Sequence, residues 1–158
     1  MATKSDSDLA HEVTTTLLRV INKIQIGRRT SRQYGKAGAL SLIEAEMCLH
    51  IARDEGTTGG ELARVLGVTP SATSQVISRL KKKGLVQETL ESNNAKRKLL
   101  SLTSKGREVA EIALGYSESM QKTVYDTSRS ELLAYLRFVR KLENYHTSFL
   151  ESQADARK

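Results

Sequence analysis

The chain has 158 residues, a formal net charge of +7, one cysteine and no tryptophan. This length fits a single domain, residues 1–158, and no apolar run approaches the ~18 residues that a membrane helix needs. The N-terminus has no apolar signal core and a lone cysteine forms no internal disulfide, so we expect a cytoplasmic protein with no membrane partner.

Residues 9–34 are predicted to form the first helix, because their apolar residues recur at helical spacing. This apolar stripe consists of Val13, Leu17, Val20, Ile21 and Ile24. The residues before position 9 are polar and are predicted to be loose. After the helix, Gly35 and Gly38 indicate a loop, and Ser41 is the candidate N-cap of a second helix that ends at Gly56.

Two short helices with a tight turn between them are predicted for residues 58–84. Thr58 can cap the first helix, and Glu61 completes a capping-box pattern. Gly67 can adopt the left-handed conformation that ends this helix. Thr69 caps the second helix, and the proline after it occupies the first helical position, where no amide donor is lost. The pattern predicts a helix-turn-helix.

The second of these helices, residues 70–83, has two contrasting faces. Three apolar residues at a spacing of four are predicted to pack on the first helix, namely Ala72, Val76 and Leu80. The opposite face is small, polar and free of acidic residues, and it consists of Ser71, Ser74, Gln75, Ser78 and Lys82. Such a face is typical of a recognition helix that enters a groove of DNA.

A β-hairpin is predicted directly after the helix-turn-helix. Two strand-like runs, residues 85–90 and 98–102, flank a polar turn at residues 91–97 that has a basic tip. A helix-turn-helix followed by such a hairpin is a winged helix. The fold class that we predict is therefore mainly α with a small β-hairpin wing.

Residues 40–107 resemble the multiple-antibiotic-resistance regulator (MarR) family of winged-helix transcriptional regulators. The matching segments are Leu40-Ser41, Glu61-Leu-Ala, Leu66-Gly-Val-Thr-Pro-Ser, Lys82-Lys-Gly-Leu-Val86 and Leu102-Thr-Ser-Lys-Gly106. The resemblance implies a DNA-binding unit at residues 40–107 and an obligate dimer formed through the terminal helices. It also implies that a small organic, frequently aromatic ligand releases the protein from DNA.

The chain departs from the family's pattern at a few positions. Asn94-Ala-Lys96 stands in the wing where the family usually carries Asp-x-Arg. Gln75 and Glu88 stand where arginine is common. These departures bear on the wing salt bridge and on the base contacts that the resemblance implies.

Long helices with uncovered apolar stripes are also predicted after the wing, within residues 104–150. Their apolar positions are Val109, Ala110, Ile112, Ala113, Tyr116, Met120 and Val124, followed by Leu132, Leu136, Val139, Leu142, Tyr145 and Phe149. The winged helix offers nothing to cover these stripes, so we predict that residues 9–34 and 104–150 dimerise and bury them. The alternative is a monomer whose helices fold back on themselves.

Positive charge is concentrated in two segments. Residues 69–105 hold eight basic residues against two acidic ones, and residues 19–36 hold six basic residues and no acid. A basic winged helix indicates a polyanionic partner, here double-stranded DNA. The alternative is a basic face that is merely solvated.

No catalytic, metal-binding or cofactor-binding pattern is present in the sequence. The three histidines lie far apart and in no ligand motif: His11, His50 and His146. A zinc site could combine a histidine pair with Glu44 or Glu46, but scattered histidines are more often surface residues. We therefore predict that the protein is not an enzyme and binds no metal or cofactor. Cys48 has apolar and acidic neighbours, which favours packing over a reactive thiolate.

These patterns predict a dimeric repressor that binds a pseudo-palindromic duplex through helix 70–83 and wing 91–97. The candidate DNA-binding residues are Thr58, Thr69, Ser71, Ser74, Gln75, Ser78, Lys82, Asn94, Lys96 and Arg97. All of the lysine run 81–83 is predicted to contact phosphates. The candidate lining of a site for a small aromatic ligand is Tyr34, His50, Tyr116 and Met120. The alternative is a winged-helix protein-interaction module without sequence-specific DNA binding, which need not concentrate lysines on this unit.

Overall fold

The computed structural model describes residues 4–91 and 94–155 of the chain. Within these ranges the elements follow in the order α1 (Asp6–Arg29), β1 (Arg32–Gln33), β2 (Ala39–Leu40), α2 (Leu42–Arg53), α3 (Gly59–Leu66), α4 (Pro70–Lys82), β3 (Val86–Glu91), β4 (Asn94–Leu102), α5 (Ser104–Val124) and α6 (Arg129–Asp155). A short 3-10 turn, Gly35–Ala37, separates β1 from β2. The predicted fold class, mainly α with a small hairpin wing, is confirmed.

Contacts divide the chain into two compact units, residues 1–116 and 117–158, and the boundary lies inside α5. The first unit contains the helix-turn-helix, formed by α3 and α4, and the wing, formed by β3 and β4. The second unit contains α6. The assignment of residues 1–158 to one domain stays a prediction.

The first helix begins earlier than predicted, because Ser5 caps it. The Ser5 hydroxyl oxygen accepts a hydrogen bond from the Asp8 N–H at 3.2 Å, and the Asp8 carboxylate accepts one from the Ser5 N–H at 3.3 Å. These two bonds form a capping box at the start of α1. The prediction that the residues before position 9 are loose is therefore wrong for residues 6–8.

The first helix also ends earlier than predicted, at Arg29 instead of residue 34, because the chain turns into a short hairpin. β1 and β2 pair antiparallel, and the Tyr34 N–H donates to the Gly38 carbonyl at 2.9 Å. Gly38 has a φ of +75°, a conformation that favours glycine. Two-residue strands carry too little sequence pattern to be recognised, so the two glycines indicated only a loop.

The core of the first unit joins α2, α3, α4, the wing and the beginning of α5. Its most deeply buried side chains are Tyr34, Leu40, Met47, Ile51, Leu62, Leu80, Leu85, Leu100, Leu102 and Val109. Cys48 is also fully buried, and burial raises the pKa of its thiol to about 12. The interpretation of Cys48 as a packing residue is confirmed.

The buried face of α4 is turned relative to the prediction. The buried residues are Thr73, Val76, Ile77 and Leu80. Ala72 is exposed, so its predicted packing on the first helix of the pair is wrong. Thr73 tolerates burial because its hydroxyl donates to the Thr69 carbonyl at 3.0 Å, which satisfies its polar group. Because Thr73 is polar, the pattern of apolar residues in the sequence did not identify it as part of the buried face.

β3 and β4 form the predicted wing as an antiparallel hairpin. β3 ends at Glu91 and β4 begins at Asn94, so the polar turn predicted at residues 91–97 is wrong for residues 91 and 94–97, which belong to strands. Residues 92–93 lie outside the described part of the chain, as does the side chain of Lys96. The segment is polar and charged, and backbone pairing with β3 makes it a strand without any apolar alternation.

The start of α5 passes close to the backbone that leads into the wing, at Gly106. A side-chain carbon added there would overlap the Leu85 carbonyl oxygen and lie 3.0 Å from the Leu85 carbonyl carbon. The same carbonyl oxygen accepts a hydrogen bond from the Thr103 N–H at 3.1 Å, which holds it in place. We expect Gly106→Ala to lower the free energy of unfolding by about 1–3 kcal/mol, measured by urea denaturation.

Gly115→Ala, in the same helix, is the matched control for that variant. Nothing lies within 4 Å of a carbon added at Gly115. Alanine is the better helix former by about 1 kcal/mol, so this variant should be as stable as the parent or slightly more so. Equal stability of Gly106→Ala and the parent would contradict the close backbone approach.

The terminal helices expose apolar side chains along their length. Those of α1 are Leu9, Val13, Leu18, Val20, Ile21, Ile24 and Ile26, and those of α6 are Leu133, Tyr135, Leu136, Phe138, Tyr145, Phe149 and Leu150. Among the described residues, no helix combines the length and the apolar character needed to cross a membrane. Exposed apolar side chains in such numbers are typical of a surface that binds a protein partner.

Candidate nucleic-acid interface

The outer face of α4, defined by the five polar residues predicted to face DNA, is exposed throughout. Its members are Ser71, Ser74, Gln75, Ser78 and Lys82. The N-terminus of the helix is fixed by Thr69, whose hydroxyl oxygen accepts a hydrogen bond from the Ala72 N–H at 3.2 Å. Short side chains without carboxylates allow this face to approach a polyanion closely.

The N-terminus of α3 carries the predicted capping box. The Thr58 hydroxyl oxygen accepts a hydrogen bond from the Glu61 N–H at 3.3 Å, and the Glu61 carboxylate accepts one from the Thr58 N–H at 2.7 Å. Gly67 ends the helix in the left-handed conformation, with a φ of +62°. Both helices of the helix-turn-helix therefore begin where their caps predict, and α4 ends at Lys82, one residue before its predicted end.

Two clefts join the helix-turn-helix to the wing. The first has a volume of about 350 Å³ and is lined by Gly59, Ser74, Ile77, Ser78, Lys81, Glu88, Lys98 and Leu100. The second has a volume of about 410 Å³ and is lined by Thr58, Gly59, Asn94, Arg97 and Lys98. Because Gly59 and Lys98 line both clefts, five of the predicted DNA-binding residues border one continuous surface.

Lys98 belongs to this surface but is absent from the predicted set. It is exposed on β4 opposite Leu90, and it lines the first cleft together with Ser74 and Ser78. The sequence indicated only that it continues the basic run at the wing tip. The pairing of β4 with β3 decides which side of the hairpin carries its side chain.

The three lysines at the end of the recognition helix differ in their partners. Lys81 forms an ion pair with Glu88 inside the first cleft. Lys83 Nζ lies 2.9 Å from Glu44 Oε1, and Lys82 is exposed on the outer face of α4. Two lysines of the run that was predicted as a whole to contact phosphates therefore have carboxylate partners within the chain.

Glu44 holds the C-terminal end of α4 against α2. Its buried carboxylate accepts hydrogen bonds from the N–H and the hydroxyl of Ser41, both at 2.9 Å. Burial raises the pKa of this carboxyl, but the hydrogen bonds from Ser41 and Lys83 outweigh burial and leave the pKa below its ordinary value. Glu44 therefore stays ionised at neutral pH and anchors Lys83.

Residues 40–98, which contain α2, the helix-turn-helix and part of the wing, match the sequence model of the MarR family. The match covers 59 of the 158 residues. A search of curated protein sequences found no significant match.

Solved structures of MarR-family and related regulators share this fold over most of their length. FabT of Streptococcus pneumoniae, solved in complex with DNA, is 18% identical, with a TM-score of 0.63 over 92% of this chain and 99% of that chain. The zinc-responsive MarR family member ZitR of Lactococcus lactis is 17% identical, with a TM-score of 0.67 over 87% and 99%. The transcriptional regulator BldR of Sulfolobus solfataricus is 21% identical, with a TM-score of 0.65 over 87% and 99%.

The residues predicted to line a ligand site are only partly brought together in the structure. The rings of Tyr34 and Tyr116 meet edge to face with 6.0 Å between centroids, and the Arg32 guanidinium carbon lies 5.8 Å from the Tyr116 centroid. Tyr34 is buried, and burial raises the pKa of its hydroxyl. His50 is half-buried on α2, whereas Met120 is exposed in the second unit. None of the four predicted residues lines either of the two clefts.

The zinc site considered from the sequence would combine a histidine pair with Glu44 or Glu46. Within residues 4–91 and 94–155, no group of three or more His, Cys, Asp and Glu side chains is placed to hold a metal ion. Glu44, which a zinc site could have used, is bonded to Ser41 and Lys83.

Proposed function

We propose that this protein is a homodimeric transcriptional repressor that binds a pseudo-palindromic DNA duplex and is released from it by a small organic ligand. The observation that carries this proposal is the outer face of α4, which is exposed, polar and free of carboxylates. The clefts that join this face to the basic wing extend it into one surface. The match of residues 40–98 to the sequence model of the MarR family supports the same function.

Two kinds of contact are assigned to this surface. Base edges in the major groove would be contacted by Ser71, Ser74, Gln75 and Ser78. Phosphates would be contacted by Lys82, by the helix caps Thr58 and Thr69, and by the wing residues Asn94, Lys96 and Arg97. The backbone N–H groups at the N-termini of α3 and α4 add partial positive charge at the same surface.

The exposed apolar residues of α1 and α6 support the homodimer, because a second copy can cover both sets at once. A two-fold axis would also place two recognition helices about 34 Å apart, which is one turn of duplex DNA. The edge-to-face pair of Tyr34 and Tyr116 supports a ligand of aromatic character close to the middle of α5.

Selection of bound duplexes from a random pool tests this proposal. We expect enrichment of two inverted half-sites whose centres are about ten base pairs apart. A reporter gene placed behind the selected duplex should be expressed less when the protein is present. A pool that shows no enrichment, with no duplex bound above background, would instead favour a protein-interaction module.

Gln75 is the residue of the outer face best suited to recognise a base. It lies between Ser74 and Ser78, whose short side chains let the helix approach the groove. Glutamine matches the N6 and N7 atoms of adenine, so we expect an adenine at the facing position of each half-site. Gln75→Ala should lose about 1–3 kcal/mol of binding free energy on the selected site and relax the base preference there.

The variant Gln75→Arg distinguishes recognition of a base by residue 75 from a contact with the DNA backbone. Arginine pairs with the O6 and N7 atoms of guanine, so this variant should shift the preference from adenine to guanine. Both variants are titrated against four operators that differ only at that base pair. Equal shifts on all four operators would exclude Gln75 from the base contacts and leave it a phosphate or water contact.

A further inference from the structure

The segment that leads into α3 is bonded to the wing through the backbone. The Gly56 N–H donates to the Leu100 carbonyl at 2.9 Å, and the Leu100 N–H donates to the Thr57 carbonyl at 2.9 Å. This pair of bonds attaches the base of the wing to the residues immediately before the helix-turn-helix. Farther out on the hairpin, the described residues add side-chain contacts to the helix-turn-helix.

Among the described residues, Arg97 on β4 connects the outer half of the hairpin to the helix-turn-helix through its side chain. Its Nη1 donates to Glu91 Oε1 on β3 at 2.9 Å, and its Nη2 lies 3.3 Å from Glu61 Oε1 on α3. The planar guanidinium thus connects the two strands of the wing to the first helix of the helix-turn-helix. A fork of this kind fixes direction as well as distance.

The Glu61 carboxylate is held in position to contact Arg97, because its two oxygens have separate partners. Oε2 accepts hydrogen bonds from the Thr58 N–H at 2.7 Å and from the Thr58 hydroxyl at 2.8 Å, which holds the side chain in place. Oε1 is thereby turned toward Arg97. These bonds from Thr58, together with the charge of Arg97, hold the pKa of Glu61 below its ordinary value, so the carboxylate is ionised at neutral pH.

We propose that Arg97 is a positioning residue that locks the wing onto the N-terminus of α3 through Glu61 and Glu91, and that it does not itself contact a phosphate. This proposal rests on the DNA-binding function proposed above and changes the role of one residue within it. The three side chains together carry a net charge of −1, so a phosphate that approaches Arg97 also meets two carboxylates. Lys98 and Lys82 carry the positive charge that faces DNA.

The contact of Arg97 with Glu61 and Glu91, which we call the lock, is first tested without DNA, by amide hydrogen exchange at Leu100. That amide is protected while it is bonded to Thr57 and the wing stays docked. We expect Arg97→Ala and Glu61→Gln each to speed its exchange by up to about fivefold, which is the range for a lost exposed ion pair. Arg97→Lys keeps the charge but not the fork, so it should also exchange faster than the parent.

DNA binding then distinguishes a lock from a phosphate contact. Loss of a phosphate contact lowers the slope of log affinity against log salt by about 1 per subunit. If Arg97 acts as the lock, Arg97→Ala weakens specific binding by about two- to fivefold and leaves that slope unchanged. The reason is that the variant removes an exposed ion pair within the protein and no contact to a phosphate. Glu61→Gln weakens binding too, although it removes a negative charge next to the DNA.

Two matched controls accompany these variants. Lys82→Ala removes an assigned phosphate contact and should lower the salt slope by about 1 per subunit. Glu55→Gln breaks a different exposed ion pair, with Arg107 at 2.6 Å, and should change neither the exchange at Leu100 nor the affinity.

Three results would overturn the lock: tighter DNA binding by Glu61→Gln, a lower salt slope for Arg97→Ala, or unchanged exchange at Leu100 in both variants. A parent protein that binds no duplex at all would reject the proposed function. The exchange measurement, which uses no DNA, would still decide the lock in that case.

Discussion

Raising the salt concentration from 50 to 200 mM should weaken the binding of this protein to its operator by about a thousandfold or more. Each phosphate that a lysine or arginine neutralises releases a condensed counterion, and added salt opposes that release. We assign phosphates to Lys82 on α4 and to Lys96 and Lys98 on the wing, so a dimer would neutralise about six phosphates through them. Several neutralised phosphates per subunit are needed for an effect of this size.

Titrations of one labelled operator at several salt concentrations measure this dependence. Lys98→Ala and Lys82→Ala should each flatten the slope by about 1 per subunit, since both residues are assigned to phosphates. Glu55→Gln serves as the control outside the candidate surface and should keep the parent's slope. An affinity that does not respond to salt, or no duplex binding at 50 mM salt, would favour the protein-interaction module.

Removal of residues 128–158 should abolish the dimer. The deletion takes away α6, whose exposed apolar side chains we assign to the partner interface. Apolar surface contributes about 25 cal/mol per Å² when it is buried. Without α6 in the partner, the exposed apolar residues of α1 lose the surface that we expect to bury them, and with it this favourable free energy. We expect sedimentation to show a monomer or aggregated protein.

Point substitutions on α6 make this test independent of a large deletion. Leu136→Lys places a charge on the apolar stripe and should raise the dimer dissociation constant at least tenfold, because a buried charge without a partner is costly. Ser148→Lys adds the same side chain at an exposed polar position of the same helix and should leave dimerisation unchanged. A stable dimer of the truncated chain would show that the interface lies elsewhere.

The sequence by itself determined the helix-turn-helix and the class of fold. Thr58, Glu61, Gly67 and Thr69 act on residues within one helical turn of themselves, so their effect does not depend on the rest of the chain. The same is true of the small polar residues on the outer face of α4, because they are exposed to solvent and no packing against another element places them. Local rules were sufficient there because both the cause and the effect are local.

Only the tertiary structure decided how the wing and the recognition helix are held. Arg97 meets Glu61 across 36 positions of sequence, and Lys83 meets Glu44 across 39. Neither pairing has a sequence signature, because many acidic residues lie at such distances and the fold selects one of them. The burial of Thr73 and the place of Lys98 at the clefts follow from the same cause. Each depends on which face of an element another element covers, and that is settled by packing between segments far apart in the chain.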